Sequence, residues 1–125
     1  MEKTIKIGDK EYLMRSSAYT QFAYKDETGR SFVKDLTEIA NKYQDLKVDS
    51  MDSKELLNRY DDIEDIISLA LRIAYIMGTE AKSITGSFED FLKGINNYID
   101  NIDWLMDVIL LGISPLSGNI QASEK

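Results

Sequence analysis

Four carboxylates lie close together in the middle of the chain, at Asp61, Asp62, Glu64 and Asp65. A cluster of this kind could bind a cation or supply a general acid and base. The sequence contains no His and no Cys, so it lacks the usual zinc ligands and any thiolate nucleophile. The spacing also matches no calcium-binding loop. We therefore interpret the cluster as the solvated face of a helix.

No other stretch predicts catalysis. Nucleophilic mechanisms need a Ser, Thr or Lys that a neighbouring group activates. No Gly-x-Ser-x-Gly motif, Gly-x-Gly-x-x-Gly motif or P-loop occurs in the chain. We expect a protein that is not an enzyme and that uses no cofactor and no metal ion.

The negative charge is placed unevenly. The net charge is −7; residues 51–125 contain six basic and thirteen acidic side chains, whereas residues 1–50 contain nine of each. An acidic surface repels phosphate backbones, so nucleic acid is not an expected partner. A basic or weakly charged protein is a more suitable partner for this acidic surface. The longest apolar stretch, residues 66–77, is shorter than the roughly 20 residues of a membrane span, so no membrane is expected either.

The same apolar stretch marks the centre of the fold. From Leu56 onward apolar residues recur at steps of three and four, the period of an amphipathic helix. Ser53 is the predicted N-cap of this central helix, which ends near Gly78. The positions expected to be nearly fully buried are Ile63, Ile67, Ala70, Ala74 and Met77.

Two short strand-like runs at the start of the chain predict a β-hairpin. A turn centred on residues 9–10 pairs Ile7 with Tyr12 and Ile5 with Met14. This register places all four side chains on one face. That face must pack on the helices, because an isolated hairpin is marginal in water.

Two helices are predicted between the hairpin and the central helix. A serine at residues 16–17 caps the first, in which Ala18 and Phe22, with Tyr19 as a further candidate, face inward. Ser31 caps the second. A last helical region begins at a capping-box spacing after residue 86 and runs to residue 113, with a kink or restart near residue 94.

Together these elements predict an α+β, mostly α-helical fold in which an N-terminal β-hairpin packs on about four helices. Residues 1–115 are expected to form a single domain. The polar residues 116–125 are expected to form a flexible tail.

The chain has one tryptophan, and its position in the last helical region is unusual. On an ideal helix it shares a face with two aliphatic residues, on the side opposite the isoleucines of this region, and three aspartates flank that face. An apolar patch edged by charge is typical of an interface with a polar rim. The alternative is a helix enclosed by its own fold. The candidate interface consists of Trp104, Val108, Leu111, Asp100, Asp103 and Asp107.

Three segments follow one another between residues 3 and 113. The first is the strand and turn IKIGDKEY at residues 5–12. The second is YKDETGRSFVKDL at residues 24–36. The third combines AYIM at residues 74–77 with FEDFL at residues 88–92. Together they resemble the tail assembly chaperones of long-tailed bacteriophages, especially those of Gram-positive hosts.

The resemblance implies a non-enzymatic protein that binds the tape-measure protein and helps to recruit tail tube subunits. Such a protein would act in the cytoplasm of the bacterial host, would be absent from the mature virion and could form a homo-oligomer. An acidic helical partner is suited to covering the apolar faces of a long helical client. Two alternatives remain: a structural tail completion or head–tail connector protein, and a small acidic regulatory binding module.

Overall fold

The structure is a computed structural model that describes residues 1–117 of the chain. Its elements are, in chain order, β1 (Glu2–Ile7), β2 (Lys10–Arg15), α1 (Ala18–Thr28), α2 (Phe32–Asp45), α3 (Ser53–Asn58), α4 (Tyr60–Glu80), α5 (Phe88–Lys93) and α6 (Asp103–Ile113), with a 3₁₀ turn at Val48–Ser50. The α+β, mostly helical class with an N-terminal hairpin packed on helices is confirmed. The described residues form six α-helices instead of about four, because two of the predicted helices are each divided in two.

The hairpin has a different register from the predicted one. Ile5 pairs with Tyr12, so the predicted pairs of Ile7 with Tyr12 and Ile5 with Met14 are wrong by two residues. Gly8 takes a φ of 65° at the first turn position, as a type II′ turn requires. A shift of two residues keeps each side chain on its face, and Ile5, Ile7 and Met14 are therefore buried together as expected.

The predicted central helix is interrupted near its start. Asp52 caps α3 by accepting a 2.8 Å hydrogen bond from the Glu55 N–H, a role the sequence had predicted for Ser53. Arg59 then leaves helical geometry, with φ −109° and ψ 21°. Asp61 and Asp62 follow in the first turn of α4, where the positive end of the helix dipole favours carboxylates. The acidic cluster thus begins a helix, and its side chains are exposed.

The helix α4 is the centre of the core. It packs against β2, α1, α2 and α6. Every one of its predicted core positions is at most 1% exposed, which confirms that part of the sequence analysis. These positions are Ile63, Ile67, Ala70, Ala74 and Met77.

The last helical region consists of two helices joined by the non-helical residues 94–102. The capping box at its start is confirmed: the Ser87 hydroxyl accepts from the Asp90 N–H at 3.0 Å, and the Asp90 carboxylate accepts from the Ser87 N–H at 3.2 Å. After α5 the chain passes through Asn97, whose φ of 61° interrupts helical geometry. The helix resumes only at Asp103, as α6.

Residues near both ends of the described chain meet. Ser16 donates a hydrogen bond of 2.6 Å to the Leu111 carbonyl, and Lys3 forms a 3.0 Å ion pair with Asp107. The strand β1 packs directly against α6. The predicted flexible tail at residues 116–125 lies, after residue 117, outside the described residues.

Candidate functional site

The tryptophan face predicted as an interface lies inside the protein. Trp104 is 1% exposed, Val108 is fully buried and Leu111 is 5% exposed. The indole Nε1 donates a 2.9 Å hydrogen bond to the Tyr98 carbonyl. The helix α6 is covered by β1, α2 and α4, so both of its apolar faces have partners. These three residues are therefore core residues: the prediction of a surface patch is wrong, and the alternative, a helix enclosed by its own fold, is the arrangement observed.

The three aspartates of the same prediction lie at the surface or at its edge. Asp100 and Asp103 are exposed, and Asp107 pairs with Lys3. They line a groove of about 400 Å³ together with Asp9 and residues of the 94–102 loop. Within residues 1–117 no group of carboxylates is arranged to hold a metal ion. The Lys3 pair indicates an electrostatic contact between β1 and α6.

Two hydrogen-bonded side chains set the rotation of α1. The Thr20 hydroxyl donates to Glu80 at the end of α4 at 2.7 Å. The Tyr24 hydroxyl donates to Asp35 of α2 at 2.6 Å. Thr20 and Tyr24 are four residues apart and share one face of α1, and both are fully buried. These two contacts direct this face of α1 toward α4 and α2.

The opposite face of α1 consequently carries aromatic side chains to the surface. Tyr19 is 62% exposed and Phe22 is 63% exposed, and Ala18 is exposed as well. The prediction that these residues face inward is wrong. Apolar residues occur all around α1, so its helical period could not decide which face is buried. The polar partners that decide it lie 60 and 11 residues away in the chain, where no local pattern shows them.

A groove runs beside this aromatic face. We call it the α1–α4 groove; its cavity measures about 380 Å³, and it is lined by Tyr19, Ala23, Asp26, Glu27, Tyr75, Ile76, Thr79 and Glu80. Tyr19, Ala23 and Ile76 provide apolar surface. Its three charged lining residues are all acidic within the part of the chain that the structure describes. This surface combines an exposed aromatic ring with a groove whose charged lining residues are acids.

The three segments that carry the family resemblance supply both packing contacts and part of the lining of the α1–α4 groove. Tyr12 of the first segment and Phe91 of the third meet edge to face, with ring centroids 5.4 Å apart. Tyr75 and Phe88 of the third segment meet in the same way at 5.5 Å. Such pairs contribute roughly 0.5–1.5 kcal/mol beyond burial of their area. The first and third segments therefore pack against each other, whereas Asp26, Glu27 and Ile76 of the second and third segments line the groove.

Comparison with protein-family models, with curated proteins and with solved structures gives no match to this chain. Within residues 1–117, no helix has both the length and the apolar composition needed to cross a membrane. The family resemblance accordingly stays a prediction.

Proposed function

We propose that this protein is a phage tail assembly chaperone, which binds the tape-measure protein and helps to recruit tail tube subunits. The observation that carries the proposal is the outward-facing aromatic pair Tyr19 and Phe22, which remains exposed because polar contacts fix the opposite face of α1. Exposed aromatic rings beside a groove are typical of surfaces that bind another protein. The three-segment resemblance supplies the identity of the client.

The chemistry of the surface supports a binding role. The net charge of −7 helps to keep a complex with an apolar client dispersed. A client made of long amphipathic helices would offer apolar stripes for the two rings to cover. On this proposal the protein acts in the host cytoplasm and is not part of the mature virion.

Co-expression tests whether the tape-measure protein is the client. The tape-measure protein of a phage or prophage that carries this gene is produced in a heterologous host with and without the chain, and its soluble fraction is measured. We expect the tape-measure protein to aggregate alone and to copurify with the chain when both are present. The proposal is contradicted if the tape-measure protein is equally soluble in both cases and does not copurify.

Mass spectrometry of purified particles separates a chaperone from the structural alternative. A chaperone leaves the finished particle, so its peptides are expected to be absent or far below stoichiometric amounts. Stoichiometric copies would instead identify a tail completion or connector protein. Copurification with a host protein, and not with tail proteins, would identify a regulatory binding module.

A further inference from the structure

The α1–α4 groove has an apolar floor and an acidic border. Tyr19 and Ala23 from α1 face Ile76 from α4 across it, and Phe22 projects from α1 one turn beyond Tyr19. An apolar helical stripe could place side chains against this floor and against both rings. Large rings of this kind are the usual anchors of a binding surface.

The border determines the charge of a suitable occupant. Asp26, Glu27 and Glu80 line the groove, and none of them forms an ion pair with a Lys or Arg among residues 1–117. The Glu80 carboxylate accepts hydrogen bonds from Ser17 and Thr20, but both donors are uncharged. Three carboxylates around an apolar floor thus lack a compensating cation. A ligand that supplies cations on both sides of an apolar stripe fits this arrangement.

We infer that the α1–α4 groove binds an amphipathic helix whose apolar stripe is flanked by Lys or Arg, and that this helix belongs to the tape-measure client. The inference rests on the proposed function for the identity of the client. A second copy of the chain is a poor occupant, because docking the same face of two copies would bring their acidic borders together.

Synthetic peptides test the chemistry of the groove without the client. One labelled peptide of about 18 residues, or five helical turns, carries a leucine stripe flanked by lysines; a second carries the same stripe flanked by glutamates. Fluorescence anisotropy is expected to show binding of the lysine peptide and at least about tenfold weaker binding of the glutamate peptide. Equal binding of both peptides, or binding of neither, would overturn the inference.

Variants locate the binding surface. Phe22→Ser and Tyr19→Ser should each weaken binding of the lysine peptide by about tenfold or more, as loss of an aromatic anchor does. Leu57→Ser is the matched control, since Leu57 is 64% exposed and lies on α3, not on the helix that carries both rings. It should bind like the unaltered chain. Circular dichroism should show unchanged helix content in all three variants, because all three side chains are exposed.

A charge variant tests the border. Asp26→Asn combined with Glu27→Gln removes two carboxylates and leaves Glu80, which also holds the start of α1. We expect weaker binding of the lysine peptide and a smaller dependence of its affinity on salt. Unchanged affinity and unchanged salt dependence would contradict the electrostatic part of the inference.

The client experiment separates this inference from the proposed function. If the unaltered chain captures the tape-measure protein and Tyr19→Ser captures it equally well, the function stands and the groove inference fails. If the unaltered chain captures no tape-measure protein, the proposed function fails, and with it the assignment of the groove to this client. If light scattering shows a dimer that Phe22→Ser converts to a monomer, the groove is a self-association surface and the inference is wrong.

Discussion

Tyr24 and Asp35 join α1 to α2 through a hydrogen bond of 2.6 Å between two side chains that are almost wholly buried. Burial raises the pKa of Asp35, but hydrogen bonds from Arg30 and Tyr24 outweigh it, and the net pKa is lowered. Arg30 contacts both carboxylate oxygens, at 2.8 and 2.9 Å. The contacts of Tyr24 and Arg30 with Asp35 keep this buried carboxylate ionised. They also orient α1, the helix that presents Tyr19 and Phe22.

Replacement of Asp35 should destabilise the protein. Asp35→Ala leaves the buried Tyr24 hydroxyl without its acceptor, and the expected loss in unfolding free energy is about 2–3 kcal/mol. Urea denaturation followed by circular dichroism measures it. Asp45→Asn, at an exposed position of the same helix, is the control and should change stability by less than about 0.5 kcal/mol. If Asp35→Ala also lost less than about 0.5 kcal/mol, the contacts of Asp35 with Tyr24 and Arg30 would not stabilise the fold.

The same carboxyl should make stability depend on pH. Its pKa is lower in the folded than in the unfolded protein, so its contribution is present above the unfolded value of about 3.9 and is lost as pH falls through the folded value. The stability difference between the unaltered chain and Asp35→Asn should therefore shrink as pH falls from 7 to about 3. Urea midpoints at several pH values test this expectation. A constant difference would contradict it.

Truncation of a side chain at the centre of α4 should lower the free energy of unfolding substantially. Ile67→Ala removes a side chain that is 1% exposed, and a large-to-small change in a packed core costs about 2–5 kcal/mol. The neighbouring Ser68 is exposed, so Ser68→Ala is a matched control that should cost little. A loss below about half a kcal/mol for Ile67→Ala would place α4 at the periphery of the fold.

Trp104 should report on the folding of α6. Trp104→Ala is expected to cost about 3–5 kcal/mol, because the ring is buried and its Nε1 is hydrogen-bonded. As the only tryptophan, it should emit at short wavelength in the folded chain and shift to the red on unfolding. Trp104→Phe keeps a ring in place and should lose less stability than Trp104→Ala. Red-shifted tryptophan emission from the folded protein would show that the indole is exposed, which would contradict this prediction.

Two glycines with similar φ values should respond differently to substitution by alanine. Gly8 and Gly29 have φ values of 65° and 74°, so both substitutions carry the cost of a left-handed conformation, about 1–2 kcal/mol. A Cβ at Gly8 would lie 1.7 Å from the Asn96 carbonyl oxygen, whereas at Gly29 it meets nothing within 4 Å. Gly8→Ala should thus lose about 1–3 kcal/mol more, as overpacking does. Thermal unfolding of both variants measures the difference, and equal losses would contradict it.

The sequence predicted the elements whose pattern is local. The α4 core positions follow from helical period, and the Ser87–Asp90 capping box follows from spacing, because both depend on neighbours within one or two turns. The face of the hairpin was also predictable, although its register was not: a shift of two residues preserves the face. Which turn type forms depends on Gly8 and on the loop packed against it.

The sequence could not predict features that depend on distant partners. The burial of Trp104 follows from β1, α2 and α4 surrounding α6, because the face opposite the isoleucines then also has partners. The exposure of Tyr19 and Phe22 follows from hydrogen bonds to Glu80 and Asp35. The candidate interface was predicted on α6, whereas the exposed aromatic side chains lie on α1.

The contact between β1 and α6 has a consequence for synthesis of the protein. Ser16 and Leu111, which are hydrogen-bonded, lie 95 residues apart in the chain. Translation at about 5–20 residues per second places an interval on the order of 5–20 s between their emergence from the ribosome. During that interval β2 can pack on α4, but the contact between β1 and α6 cannot form, so the apolar side chains of β1 lack this part of their cover.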